Sequence, residues 1–290
     1  QSMDATRKGY EAKILTLEND AKKLTKEHSA SVEKGTELEG KIENLTSKLA
    51  ALQDEKNAIL ASVSAKGRTI ISNCAIEPEI KDLVNFLISI GCNIKWVAKR
   101  SIKIVGVSKI KDASYSVMFD RIEAGTYLVA AAVTEGNISI KNVIPRIIQT
   151  EINTLKKIGA KIKVKNDEVH IVGNKKIKSI NIKTAPYPGF PTDLQAQMMV
   201  LLCKANKQSV IKEDIFENRF MHVAELNRMG AKISTIGNKA KVSGNIRFEA
   251  AELMATDLRA SVSLILAALT TALQPLAMTE PISKSFNPHE

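Results

Sequence analysis

Asp193 follows a proline-stiffened loop in Tyr187-Pro-Gly-Phe-Pro-Thr-Asp-Leu-Gln-Ala-Gln197, at the start of a helix. A carboxylate there can cap the helix, as Thr192 also can, or take a proton as a general base. The residue types favour capping. Phe216-Glu-Asn-Arg-Phe-Met-His222 interleaves Glu217, Asn218, Arg219 and His222 with two phenylalanines. That pattern suits a partly buried polar site and equally a satisfied structural network. Thr256-Asp257-Leu258-Arg259 opens another helix. Arginine in a first turn opposes the helix dipole, unless it serves an anion shared with the backbone N–H groups. Asp120-Arg121-Ile-Glu123-Ala-Gly-Thr126 sits at the equivalent place one unit earlier, where a salt-bridge role is the plainer expectation.

These segments must be positioned by a repeat. Ile90-Gly91-Cys92-Asn93-Ile94 recurs as Ile158-Gly159-Ala160-Lys161-Ile162 and Met229-Gly230-Ala231-Lys232-Ile233, with the glycines 68 and 71 residues apart. A second marker keeps the same beat, in Ala65-Lys66-Gly67, Thr134-Glu135-Gly136 and Ala205-Asn206-Lys207. Self-similarity at about 70 residues indicates a duplicated unit. Each unit reads helix, strand, helix, Gly-turn, strand, strand. The turn glycines fit a left-handed position after the second helix. Alternating stretches at Ser101–Val107, Glu168–Val172 and Lys239–Val242 fit half-buried strands. The fold class predicted is a layered α/β repeat domain. Residues 257–271 supply the first helix of a fourth copy, and 272–290 read as an irregular tail. The repeat reads as truncated at both ends.

Residues 4–56 read differently. Steps of three and four from Ile14 run through Leu17, Ala21, Leu24, His28, Ser31, Gly35, Leu38, Ile42, Leu45, Leu49, Leu52, Lys56 and Ile59, the a/d seam of a coiled coil. His28, Ser31 and Gly35 weaken its middle. A continuous helix pairing with a partner or a second copy competes with a hairpin that turns near His28–Thr36, and we favour the continuous helix. Its seam leads into the first repeat helix. Gln1-Ser2-Met3 resembles the remnant of a cleaved tag.

Net charge is +11, of which residues 1–56 contribute 10 Lys/Arg against 11 Asp/Glu; the remainder holds 32 against 20, or +12. A basic globular part favours anionic partners, or carries lysines spread over solvated faces. Aromatics at 4% leave little for base stacking, so no nucleic acid is expected. The longest apolar run, Ser261–Leu269, is too short for a bilayer, so no membrane is expected either. Cys74, Cys92 and Cys203 form no CxxC pair and suit reduced, mostly buried thiols in a cytoplasm. We expect no metal and no cofactor.

The motifs together resemble the UDP-N-acetylglucosamine enolpyruvyl transferases (1-carboxyvinyltransferases) of peptidoglycan synthesis. The match runs through Asn57-Ala-Ile-Leu-Ala61, Glu77-Pro-Glu-Ile80, Asp120–Thr126, Pro186–Gln197, Phe216–His222 and Ala255-Thr-Asp-Leu-Arg-Ala-Ser261, about 215 residues in order. The resemblance implies two inside-out α/β domains of three repeats each, with residues 57–119 the last repeat of the first domain and 120–271 most of the second. It implies phosphoenolpyruvate and UDP-N-acetylglucosamine as substrates, with enolpyruvyl passed to the sugar 3-hydroxyl by addition and elimination. By motif match, Asp193 is the base near that hydroxyl, and Ile215 touches the nucleotide sugar. Arg219 and Arg259 hold phosphoenolpyruvate, as guanidiniums suit a carboxylate and a phosphate.

Three of the family's motifs have no counterpart here: an early Lys-Asn pair, a mobile loop with a reactive cysteine and arginine, and a late Arg-containing Tyr-His motif. None of the three cysteines stands in the loop's context. The expectation is a transferase fragment with a coiled-coil extension, inactive as this chain alone because such groups act as a unit. The alternatives are a coiled-coil scaffold carrying a non-catalytic remnant, and a split enzyme completed by a second chain.

Overall fold

The computed structural model of the chain describes residues 56–255 and 258–272, with no side chain placed for 258–260. The coiled-coil segment up to residue 55, its hairpin alternative, the first three residues and the tail from 273 lie outside the described residues. The chain divides into two units, 1–62 and 63–290.

Residues 56–64 are helical (α1), and three further repeat helices follow at the predicted beat. The first copy continues as β1 (Arg68–Ser72), α2 (Pro78–Ser89), β2 (Asn93–Ala98) and β3 (Ser101–Val105). The second is α3 (Arg121–Val133), β4 (Asn137–Lys141), α4 (Gln149–Ile158), β5 (Lys161–Val164) and β6 (Glu168–Val172). The third begins after the short β7 (Ile182–Lys183) and runs α5 (Gln195–Cys203), β8 (Ser209–Lys212), α6 (His222–Arg228), β9 (Ile233–Ile236) and β10 (Lys239–Val242). α7 (Leu258–Ala272) opens a fourth.

Each copy closes its own sheet, antiparallel apart from the parallel β7–β8 pair of the third, with the last strand at an interior position. The orders are β1-β3-β2, β4-β6-β5 and β7-β8-β10-β9. Central strands bury alternate residues, as in β6, where Val169 and Ile171 are inaccessible. The other sheet face is open, and it is where Lys95, Lys161, Lys163, Lys239 and Lys241 sit exposed.

Helices fill the interior. All nine residues of α5 are buried, and α5 packs on α3, α7, β8 and β10. A helix apolar on every side is stable only when surrounded. Gly125 on α3 makes room for Leu194 just ahead of α5, since a Cβ at that position would collide with the leucine Cδ1.

The turn glycines take the predicted left-handed conformation, with φ of 95°, 118° and 88° at Gly91, Gly159 and Gly230. A second glycine set went unread in the sequence. Gly106, Gly173 and Gly244 follow the last strand of each copy by one or two residues, and a Cβ there would strike the carbonyl oxygen of Ala65, Ala131 or Ala205 respectively. Close approach of strand end to helix end is part of the repeat, and only glycine permits it. All three cysteines are buried thiols outside any disulfide, and burial pushes the Cys203 thiol up to about 12.

Among the described residues no helix is long and apolar enough to cross a membrane.

Candidate functional site

Two loops of the third copy come together. The first leaves β7 at Thr184, passes a cis Tyr187–Pro188 bond, and enters a 3-10 turn, Thr192–Leu194, that leads into α5. A bridge between Thr184 and Phe190 pins its base. The second follows β8 and runs from Glu213 to Met221 before α6, turning at Asn218 with φ 56°.

Asp193 and Arg219, 26 positions apart, meet across these loops, with Arg219 Nη1 3.5 Å from Asp193 Oδ1. Their side chains are 32% and 22% exposed, so both reach solvent from a shielded position. The Arg219 guanidinium also lies 4.4 Å from the Phe216 ring centroid, stacking that fixes its plane at little entropic cost. Neither the 3-10 turn nor α5 has a side-chain cap, so the favoured capping role for Thr192 and Asp193 is not what the structure shows. Thr192 turns elsewhere: its hydroxyl donates to Glu213 Oε2 at 2.8 Å. Ile215 is half-buried beside Phe216, with its N–H donating to Glu213 Oε1 at 2.8 Å. In the Phe216–His222 motif, Glu217 and Asn218 are exposed while His222 is buried at the start of α6. Arg259 lies in the first turn of α7, which packs on α5 and α6; its side chain is outside the described residues.

Glu213 is the residue the sequence reading missed. Lys212-Glu213-Asp214 reads as a charged, solvated turn, yet Glu213 is 2% exposed. The signal was the period-2 pattern of β8. Ser209 and Ile211 face inward, and continuing the alternation places 213 on the same side.

The Asp120 segment forms a separate cluster. Asp120 caps α3 by accepting from the N–H groups of Ile122 and Glu123, at 2.7 and 3.2 Å. Arg121 Nε donates to Glu79 Oε1 at 2.7 Å, which is the expected salt bridge, and Arg121 Nη1 lies 4.0 Å from Glu151 Oε1. A cleft of about 520 Å³ lies beside it, lined by Lys81, Asp82, Asn85, Arg146 and Tyr187; Asp193, Ile215 and Arg219 do not line it.

Burial raises the Glu151 carboxyl to about 6 and nearby Glu79 adds to the rise, against the pull of Arg121. The native state therefore holds more protons than the unfolded chain between about pH 4.5 and 6. Stability falls as pH rises through that window, by about 2 kcal/mol in total. Glu151→Gln is expected to flatten the slope and raise the thermal midpoint at pH 7. An unchanged slope in urea unfolding across pH 4.5–6 would count against it.

Over residues 15–287 the sequence matches the family described as EPSP synthase (3-phosphoshikimate 1-carboxyvinyltransferase). UDP-N-acetylglucosamine 1-carboxyvinyltransferase of Pelagibacter ubique (strain HTCC1062) is 74% identical over 214 residues, covering 74% of this chain and 51% of that protein. The enzyme of the same name from Geotalea daltonii is 45% identical over 248 residues, covering 86% of this chain and 59% of that protein. The chain thus spans a little over half the length of these curated relatives. Among solved structures, the enolpyruvyl transferase NikO from Streptomyces tendae matches with a TM-score of 0.68 at 25% identity, over 74% of this chain and 52% of that one. EPSP synthase from Acinetobacter baumannii shares the fold, with a TM-score of 0.54 at 22% identity over 73% and 52%. The repeated α/β units, the motifs they carry and these matches agree: the chain belongs to the EPSP synthase (3-phosphoshikimate 1-carboxyvinyltransferase) family, and its curated homologues are UDP-N-acetylglucosamine 1-carboxyvinyltransferases.

Proposed function

We propose that this chain carries one wall of an enolpyruvyl transferase site, taking phosphoenolpyruvate and the sugar end of UDP-N-acetylglucosamine. The observation that carries the reading is the meeting of Asp193 and Arg219 at 3.5 Å from separate loops. An acceptor carboxylate and a stacked guanidinium are the two groups this transfer needs beside each other. Asp193 takes the proton of the 3-hydroxyl as its oxygen adds to C2 of phosphoenolpyruvate and C3 gains a proton from an acid outside these residues. Loss of inorganic phosphate from C2 and of a proton from C3 then restores the double bond of the transferred enolpyruvyl group. Arg219, with Arg259, holds the carboxylate and phosphate, and Ile215 lies against the nucleotide sugar. Residues 57–119 serve as the last repeat of one domain and 120–271 as most of a second.

The resemblance also calls for a cysteine loop, a lysine and further arginines that these 290 residues do not supply. This chain alone is therefore expected to bind and not to turn over. In a titration of the full chain followed by NMR, UDP-N-acetylglucosamine should shift the amides of Asp193 and Ile215, and phosphoenolpyruvate those around Arg219. No saturable shift with either ligand would sink the reading. Phosphate release above background that disappears in Asp193→Asn would overturn the claim of inactivity.

A further inference from the structure

The Glu213 carboxylate is buried, and among the described residues no cation pairs with it. A carboxylate taken from water without a counter-charge is costly unless donors surround it. Here they do. Oε1 accepts from Thr184 Oγ1 at 2.8 Å, Ile215 N at 2.8 Å and Phe216 N at 3.2 Å, and Oε2 accepts from Thr192 Oγ1 at 2.8 Å. Thr184 is itself inaccessible and accepts from Asp214 N at 3.0 Å, which directs its hydroxyl proton to Glu213.

These donors belong to both site loops. Thr192 adjoins Asp193 on one. On the other, Ile215 is a proposed sugar contact, and Phe216 carries the ring on which the Arg219 guanidinium stacks. We infer that Glu213 is a positioning residue for this site: it touches no ligand itself and sets the two loops in register, so that Asp193 and Arg219 face one another before substrate arrives. Pre-set groups of this kind bind without the cost of ordering on association. The inference rests on the proposed reading of the site, and adds to it a residue whose effect must pass through others.

The test uses the full chain in three variants. Glu213→Gln keeps an acceptor at Oε1 and can donate to Thr192 from its amide, so it should preserve the register. Glu213→Ala removes every acceptor. Thr184→Val removes one donor at a position no ligand can reach. Three signals are followed: exchange of the Ile215 and Phe216 amides, the Arg219 Nε–H shift (which the Phe216 ring current displaces), and the phosphoenolpyruvate dissociation constant.

In Glu213→Ala, amide exchange should rise about 10- to 100-fold, the scale of a lost charge-assisted hydrogen bond. The Arg219 shift should move toward its unstructured value, and phosphoenolpyruvate should bind at least tenfold more weakly. Glu213→Gln should stay within about threefold of wild type, the scale of one neutral hydrogen bond, and rescue all three signals. Thr184→Val should fall between them, and it carries the test if Glu213→Ala does not fold. Wild-type affinity in Thr184→Val or Glu213→Ala, with the Arg219 shift unmoved, would overturn the inference while leaving the site reading intact. No phosphoenolpyruvate shift in wild type would remove the site reading. The exchange and ring-current signals then still decide whether Glu213 holds the loops.

Discussion

Leu201→Ala should lower the unfolding free energy by about 2–5 kcal/mol, the range for emptying a buried leucine site. Leu201 is inaccessible in the last turn of α5, whose nine residues are all buried and which packs on α3, α7, β8 and β10. Elements on every side limit how far the structure can close over the cavity, which favours the upper part of that range. Domain stability is commonly about 5–15 kcal/mol, so one such change removes a large share of it. Ile265→Ala on α7 is the control, because that side chain is 59% exposed and its loss should stay within about 0.5 kcal/mol. Urea unfolding followed by circular dichroism reads both as midpoint shifts at constant slope. A loss under about 1 kcal/mol at Leu201 would mean that α5 is not the packed centre described above. Because α5 begins two residues after Asp193, the same variant should loosen the site loop as the core softens.

The repeat was legible because its signals are local. The three turn glycines mark left-handed positions wherever the copy occurs, and strands such as Glu168–Val172 and Lys239–Val242 announce themselves by alternation. Sequence also put forward Asp193 and Arg219 as candidates from the residue types of their motifs, and Ile215 from the family resemblance alone. Partnerships were not legible. Capping was the better local guess for Thr192 and Asp193, and tertiary contact overrode it: a buried acceptor 21 residues downstream claims the Thr192 hydroxyl. Glu213 was hidden by its charged neighbours, since an acidic residue between Lys212 and Asp214 looks solvated unless the strand's phase is carried past its end. β7 was passed over for a different reason. Two residues in a parallel pair with β8 leave almost no periodic signature, although they launch the loop that carries Asp193. The Gly106, Gly173 and Gly244 series was visible as spacing, but its cause, a strand end pressed against a helix carbonyl, exists only in three dimensions.

Arg219→Ala should weaken phosphoenolpyruvate binding at least tenfold, or about 1.4 kcal/mol. The guanidinium is held by stacking on Phe216 and sits 3.5 Å from Asp193 Oδ1, so its charge is presented with little rotameric freedom left to lose. With side chains 22% and 32% exposed, solvent screens the pair and the effect stays below that of a fully buried charge contact. Wild-type affinity in the millimolar range, about −4 kcal/mol, follows from the same screening. It should weaken further as salt rises, since exposed charges are screened within about 10 Å at 0.1 M ionic strength. Asp193 adds a contrast of sign. Its carboxylate stands beside the cation proposed to receive the anion, so Asp193→Asn should tighten phosphoenolpyruvate binding by a few-fold even as it removes the proposed base. In Arg219→Ala the carboxylate loses this neighbouring cation and repels the ligand more strongly. Adding Asp193→Asn there should recover part of the loss, giving a non-zero coupling in the double-mutant cycle. NMR titrations of the four proteins at two salt concentrations supply every term. Additive effects with no salt dependence would show that phosphoenolpyruvate, if it binds, is held somewhere other than between these two loops.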